Sequence, residues 1–238
     1  SIIKFSKNYC IGDLVNDELN NINKVLFDEN KPFTAILGGA KVSDKINVIE
    51  KLIDLVDNII IGGAMANTFI KSKGGNIGKS LFEEDNLSVA NSLIEKAEKQ
   101  NVKIFLPEDL VCSKSIDNYN TKIFNSYDLP VEYSGFDVGY KSINTFKEVI
   151  KRSKKIIWNG PMGVFEIDAF SKGTFEICNS VTEATKKGAF SLVGGGDSVS
   201  AVKKNNQENN ISFISTGGGA LLEYISNGTL ASLELLKN

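Results

Sequence analysis

Lys41 and Lys45 stand four residues apart, directly behind an apolar run that ends in Gly38-Gly39 ("FTAILGGAKVSDK", 33–45). Ammonium groups beside a glycine turn suit a phosphate, because the turn presents backbone N–H groups and each lysine adds a full positive charge. Comparable groupings return along the chain. "VGGGDS" (193–198) sets Asp197 and Ser198 behind Gly195 and Gly196, a carboxylate of the kind that meets a phosphate-bound Mg²⁺. "STGGGA" (215–220) places Gly217, Gly218 and Gly219 at the opening of a helical pattern, where N–H groups suit a phosphoryl group in transfer. "WNGPMGVFE" (158–166) puts Asn159, two glycines and Pro161 after another apolar run, with Glu166 following. Each stretch has a plain alternative: a solvated lysine face on a helix, an Asp helix cap, an ordinary Asn-Gly turn.

The elements that carry these residues decide between the readings. Besides the opening run, "NIIIGGAMAN" (58–67), "KIFLPED" (103–109), "KIIWNGPMG" (155–163), "AFSLVGGGDS" (189–198) and "ISFISTGGGA" (211–220) read as short buried strands, most of them ending in glycine. Helical patterns lie between and before them: Asp13 to Leu26, Val42 to Val56, Leu87 to Gln100, Ile143 to Lys151 and Phe175 to Lys186. The second of these would set Lys41 and Lys45 one helical turn apart on a single face. Strands alternating with helices predict an α/β fold, a doubly wound open sheet of about six parallel strands with helices on both faces. All the glycine turns then fall on the carboxyl edge, where such sheets bind ligands.

Composition narrows the function. The chain has 238 residues, 42% hydrophobic and 24% charged, with a net charge of −2. Its lysines are scattered, which excludes the electrostatic footprint of nucleic-acid or anionic-membrane binding. No stretch reaches membrane-spanning length, and Cys10, Cys112 and Cys178 are too far apart for a disulfide framework, so a cytoplasmic setting is expected. There is no histidine, which excludes imidazole chemistry, and Arg152 is the single arginine. A heavily phosphorylated substrate needs more bidentate phosphate donors than that. "GGNIGKSL" (74–81) fails as a P-loop, since Gly74 leaves three residues rather than four before Gly78 and a helical pattern precedes it. No G-x-G-x-x-G is present.

Taken together, "ILGGAKVSDKI", "IIIGGAMANTF", "IWNGPMGVFE", "VGGGDS" and "STGGGALLE" resemble phosphoglycerate kinase, specifically its C-terminal, nucleotide-binding domain. The resemblance runs from about Gly12 almost to Asn238 and implies two parts: residues 1–27, an interdomain-type helix with a remnant of an N-terminal half, and residues 28–238, the nucleotide-binding α/β domain. The N-terminal domain, which in the family carries the basic site for 3-phosphoglycerate, is expected to be missing, and "SIIKFSKNYCIG" reads as a cut beginning.

For the site, the resemblance implies an adenosine pocket from Gly39, Ala40, Gly63 and Ala64, with Leu81, Pro161 and Val164 beside the base and Glu166 on the ribose hydroxyls. Lys41, Lys45, Asn159 and Ser198 would meet the phosphates, with Gly195 and Gly196 beside them, and Asp197 would serve the Mg²⁺ of ADP or ATP. Lys41 and the run Gly217, Gly218 and Gly219 would face the phosphoryl group in transfer. Ala64 replaces a frequent third glycine, Ser198 a usual threonine and Leu221 a usually small residue. The implied function is phosphoryl transfer between 1,3-bisphosphoglycerate and ADP in glycolysis, with this chain binding MgADP or MgATP but not turning over alone. A stand-alone nucleotide-binding module is the alternative.

Overall fold

The computed structural model describes residues 11–234. The expected N-terminal remnant and Cys10 therefore lie outside the described residues.

In chain order the elements are α1 (Asp13–Phe27), β1 (Phe33–Leu37), α2 (Ile46–Ile53), β2 (Asn58–Ile61), α3 (Met65–Ser72), β3 (Asn76–Ile77), α4 (Leu87–Lys99), β4 (Lys103–Phe105), β5 (Asp109–Ser113), β6 (Lys122–Asn125), β7 (Asp128–Leu129), β8 (Ser134–Val138), α5 (Tyr140–Arg152), β9 (Lys155–Asn159), α6 (Lys172–Lys186), β10 (Phe190–Gly194), α7 (Gly196–Lys204), β11 (Phe213–Ile214), α8 (Gly219–Asn227) and α9 (Ala231–Glu234). The main sheet has the order β11-β10-β9-β1-β2-β4, and every pairing in it is parallel. Its six strands are the six that the apolar runs predict.

Both faces of this sheet are covered, so its strands are apolar on both sides. Period-2 alternation divides them. Phe33, Ala35 and Leu37 of β1 face one core, built with Val48 and Ile49 of α2, Phe69 of α3 and Leu93 of α4. Ile36 of the same strand joins the opposite core with Trp158, Phe146 of α5, Ile177 of α6 and Val202 of α7. Phe33, Phe69 and Phe146 are fully buried, each contributing about 1.5–3 kcal/mol by leaving water. α1 is part of the first core through Ile22, Val25 and Leu26.

From β1 the chain winds outward over the first face to β2 and β4, and from β9 over the second face to β10 and β11. The winding reverses between β1 and β9, which opens a crevice outside their carboxyl ends.

Two features were not legible in the sequence. β5 pairs antiparallel with β6 and β8 in a separate three-stranded sheet, and β3 pairs with β7. Only three residues separate β4 from β5, which begins at Asp109, so Pro107 and Glu108 read as the turn that closes β4 rather than as the approach to a second strand. α2 begins at Ile46 rather than Val42. The carboxylate of Glu83 accepts from the amides of Val42 (2.5 Å) and Ser43 (3.0 Å) and from the Ser43 hydroxyl (2.6 Å), holding 42–45 as a turn. Lys41 and Lys45 therefore do not share a helix face.

Candidate nucleotide site

Strand register builds the site first. Leu37 lies opposite Ile61 and Asn159, and Asn159 opposite Gly194, so Gly38, Gly62, Gly160 and Gly195 follow in one row along the carboxyl edge. Backbone bonds lace the row: the Gly38 amide donates to the Asn159 carbonyl (3.0 Å), Gly39 to Pro161 (3.0 Å) and Gly63 to Met162 (3.0 Å). A Cβ on Gly38 would strike the Pro161 carbonyl, and one on Gly160 the Gly38 carbonyl. Glycine at these two positions is thus required by the mutual approach of the β1 and β9 turns, and the amides of Gly38 and Gly39 are already engaged within the protein.

Two adjoining cavities open over the crevice. The first, of about 420 Å³, is lined by Gly39, Ala40, Gly63, Ala64, Leu81, Pro161, Val164, Glu166 and Asp197. Those are the residues expected to hold adenosine, joined by the acid expected at the metal. Asn67, Lys79, Ile116, Phe136 and Asp137 also line it and were not expected. Asn67 acts on an expected residue, donating from Nδ2 to the Leu81 carbonyl at 3.0 Å.

The second cavity, of about 350 Å³, is lined by Lys41, Lys45, Asn159, Gly195, Gly196, Asp197, Ser198, Gly218 and Gly219. Gly39, Ala40, Pro161 and Asp197 border both, so the two form one continuous groove. Gly217 lines neither; its amide donates to the Ser215 hydroxyl at 3.1 Å.

The groove changes chemistry along its length. Its first half is mainly apolar, with Leu81, Leu110, Ile116, Phe136, Met162 and Val164. Its second half carries charge. α7 and α8 begin there, and the first-turn N–H groups of a helix have no intrahelical acceptor, so both ends favour an anion. Lys45 is half-buried beside Gly39; burial pushes its pKa down, and the carboxylates of Asp44 and Asp197 act the other way. Lys41 is exposed.

Not every polar residue in this half is free for a ligand. Asn159 donates from Nδ2 to the Gly194 carbonyl at 2.9 Å, and the buried Ser198 hydroxyl accepts from the Gly160 amide at 2.5 Å. Both tie the β9 turn to β10 and α7, and Ser198 keeps its own hydroxyl proton to donate. Gly195, not Asp197, occupies the cap position of α7, and Asp197 makes no capping bond. Leu221 is buried at the start of α8, against the end of β10, and the helix forms normally around it.

Two more acids shape the groove, Glu18 from outside it and Asp137 in its wall. Glu18 of α1 accepts from the Ser215 hydroxyl (2.8 Å), the Thr216 amide (2.6 Å) and the Thr216 hydroxyl (2.9 Å), fixing the turn that leads into α8. Asp137 is 2% exposed; its Oδ2 accepts from the Gly173 amide at 2.6 Å while Oδ1 has no partner. Burial pushes its carboxyl up to about 7, against the pull of the Gly173 and Val138 amides.

Among the described residues no cluster of three or more acidic, His or Cys side chains forms a metal cage. Asp197 at the polar half, with Asp44 nearby, suits a Mg²⁺ held largely by phosphate oxygens and water. No described helix is long and apolar enough to cross a membrane.

Comparison with known proteins gives the family. Residues 1–228 match the Phosphoglycerate kinase family. Phosphoglycerate kinase of Finegoldia magna is 53% identical over 228 residues, covering 95% of this chain and 57% of that protein. A Thermus thermophilus phosphoglycerate kinase is 44% identical over 227 residues, covering 95% and 58%. Among solved structures, phosphoglycerate kinase from Coxiella burnetii superposes with a TM-score of 0.92 at 39% identity, over 99% of this chain and 60% of that one. The Pyrococcus horikoshii enzyme gives 0.76 at 26% identity, over 95% and 56%. The chain thus spans little more than half the length of the relatives it matches, and it belongs to the phosphoglycerate kinase family.

Proposed function

We propose that this chain is the C-terminal, nucleotide-binding part of a phosphoglycerate kinase, serving reversible phosphoryl transfer between 1,3-bisphosphoglycerate and ADP to give 3-phosphoglycerate and ATP. The observation that carries this reading is the single groove whose apolar half meets a half bearing Lys41, Lys45 and two helix N-termini. The base lies in the apolar half, the ribose hydroxyls reach Glu166, and the phosphates run past Asp197 toward Gly218 and Gly219. Mg²⁺ bound to the nucleotide would meet Asp197 and neutralise part of the phosphate charge.

Transfer of a phosphoryl group asks the protein for positioning and charge stabilisation rather than covalent chemistry. Lys41 and Lys45 offset phosphate charge, and the α8 N-terminus at Gly218 and Gly219 presents donors to the group in flight. The second substrate needs a basic surface that one arginine and no histidine do not supply. In this reading that surface belongs to a separate N-terminal domain, joined through the region 1–27, which includes α1, to the nucleotide domain 28–238. The chain alone then binds MgADP and MgATP without turnover, since bringing the reactants together accounts for about 7–11 kcal/mol of the barrier.

A coupled assay tests this. The chain alone should show no turnover, and fusion of an N-terminal half from a relative ahead of Ser1 should restore it. Turnover by the lone chain at the rate of a two-domain enzyme would overturn the reading; an inactive but nucleotide-binding fusion would favour a stand-alone binding module.

A further inference from the structure

A cavity of about 510 Å³ lies at the opposite, amino edge of the main sheet, between the end of α1, the start of β9 and the turn before β10. It shares no lining residue with the nucleotide groove. Its charged groups are Lys24, Lys154, Lys155 and Asp28. Lys155 is only 4% exposed; its ammonium donates to the Asp28 carbonyl and stands 4.7 Å from the centre of the Phe33 ring. Among the described residues none of the three lysines forms an ion pair.

A buried ammonium without a carboxylate partner is costly, and burial pushes the Lys155 pKa down. The two nearby acids do not relieve it fully: Asp28 Oδ1 is engaged by the amide (2.7 Å) and Nδ2 (2.6 Å) of Asn30, and Asp57 is held by the Lys31 ammonium (3.0 Å) and the Phe33 amide (2.8 Å). Lys24 lies 4.5 Å over the Phe190 ring, a placement that holds its cation at the cavity wall. Three ammonium groups against one carboxylate leave an excess of two positive charges around the cavity.

We propose that this cavity binds a small phosphate dianion, free or as a phosphate ester. Two charges match the excess, Lys155 supplies a buried donor that a phosphate oxygen would complete, and Lys24 and Lys154 close on it from the surface. The volume exceeds that of a phosphate group, leaving room for the organic body of an ester.

Amide NMR of the intact chain, titrated separately with inorganic phosphate and glycerol phosphate, tests this with residue resolution. Saturable shifts are expected at Gly188, Ala189, Phe190 and Ser212. Lys24→Gln with Lys154→Gln, both exposed and safe for folding, should weaken them at least about tenfold, the loss expected for charge-assisted bonds. Lys155→Gln should abolish them while the shifts of Gly39, Gly195 and Gly218 at the nucleotide groove persist. Absence of saturable shifts at the amino edge, shifts confined to the nucleotide groove, or a double variant that binds like the parent would overturn the proposal.

Discussion

The Ser198 hydroxyl accepts a hydrogen bond from the Gly160 amide at 2.5 Å, with both groups buried, and so joins the β9 turn to α7. This bond fixes the distance between the two glycine turns that wall the polar half of the groove. Ser198→Ala removes the acceptor and leaves a buried N–H unmet, which costs about 1–3 kcal/mol. Chemical denaturation should show a loss of that size; a variant as stable as the parent would mean that the bond contributes nothing.

The lysines should act on phosphate alone. Lys41→Ala and Lys45→Ala are expected to weaken ADP binding by about 10- to 100-fold each, the worth of one charge-assisted hydrogen bond, with adenosine binding unchanged. Calorimetry with both ligands checks this, and equal losses for nucleoside and nucleotide would contradict it.

Glu83 holds the turn that carries those lysines. Glu83→Ala leaves the amides of Val42 and Ser43 without their acceptor and should lower stability by about 1–3 kcal/mol. Because Lys41 and Lys45 lose their support, ADP binding should fall more than adenosine binding, while Glu83→Gln, which retains an acceptor oxygen, should lose less of both.

Asp137 gives stability a definite pH dependence. Its folded pKa, raised to about 7, lies above its ordinary value of 3.8, so the native state keeps a proton that the unfolded chain has released. The contribution is fully present below the ordinary value and is lost as pH rises through about 7, with a slope of at most about 1.4 kcal/mol per pH unit. Denaturation across this range should show stability falling with pH in the parent, and a flatter profile in Asp137→Asn.

What the sequence made legible was local. Phe33 to Leu37 and Lys155 to Asn159 announce themselves as buried strands because apolar runs end in glycine, and the parallel arrangement then puts Lys41, Asn159, Asp197 and Gly218 on one edge. What it hid depends on partners far along the chain. The start of α2 is set by Glu83, 41 residues beyond Val42, and the turn into α8 by Glu18, 198 residues before Thr216. Asp137 reads as one more acid in "GFDVGY" until β8 carries it beneath the groove. β5, β6 and β8 mix polar with apolar residues across long loops, so no single period marks them as a sheet.

Calorimetric titration of the chain with ADP, with and without Mg²⁺, tests most directly whether the one groove over the β1 and β9 turns holds a magnesium nucleotide. Saturable one-site binding that Mg²⁺ strengthens is expected, with the Mg²⁺ effect lost in Asp197→Asn while metal-free ADP still binds. No heat and no thermal shift at millimolar MgADP, or equal losses in Asp197→Asn with and without Mg²⁺, would contradict it.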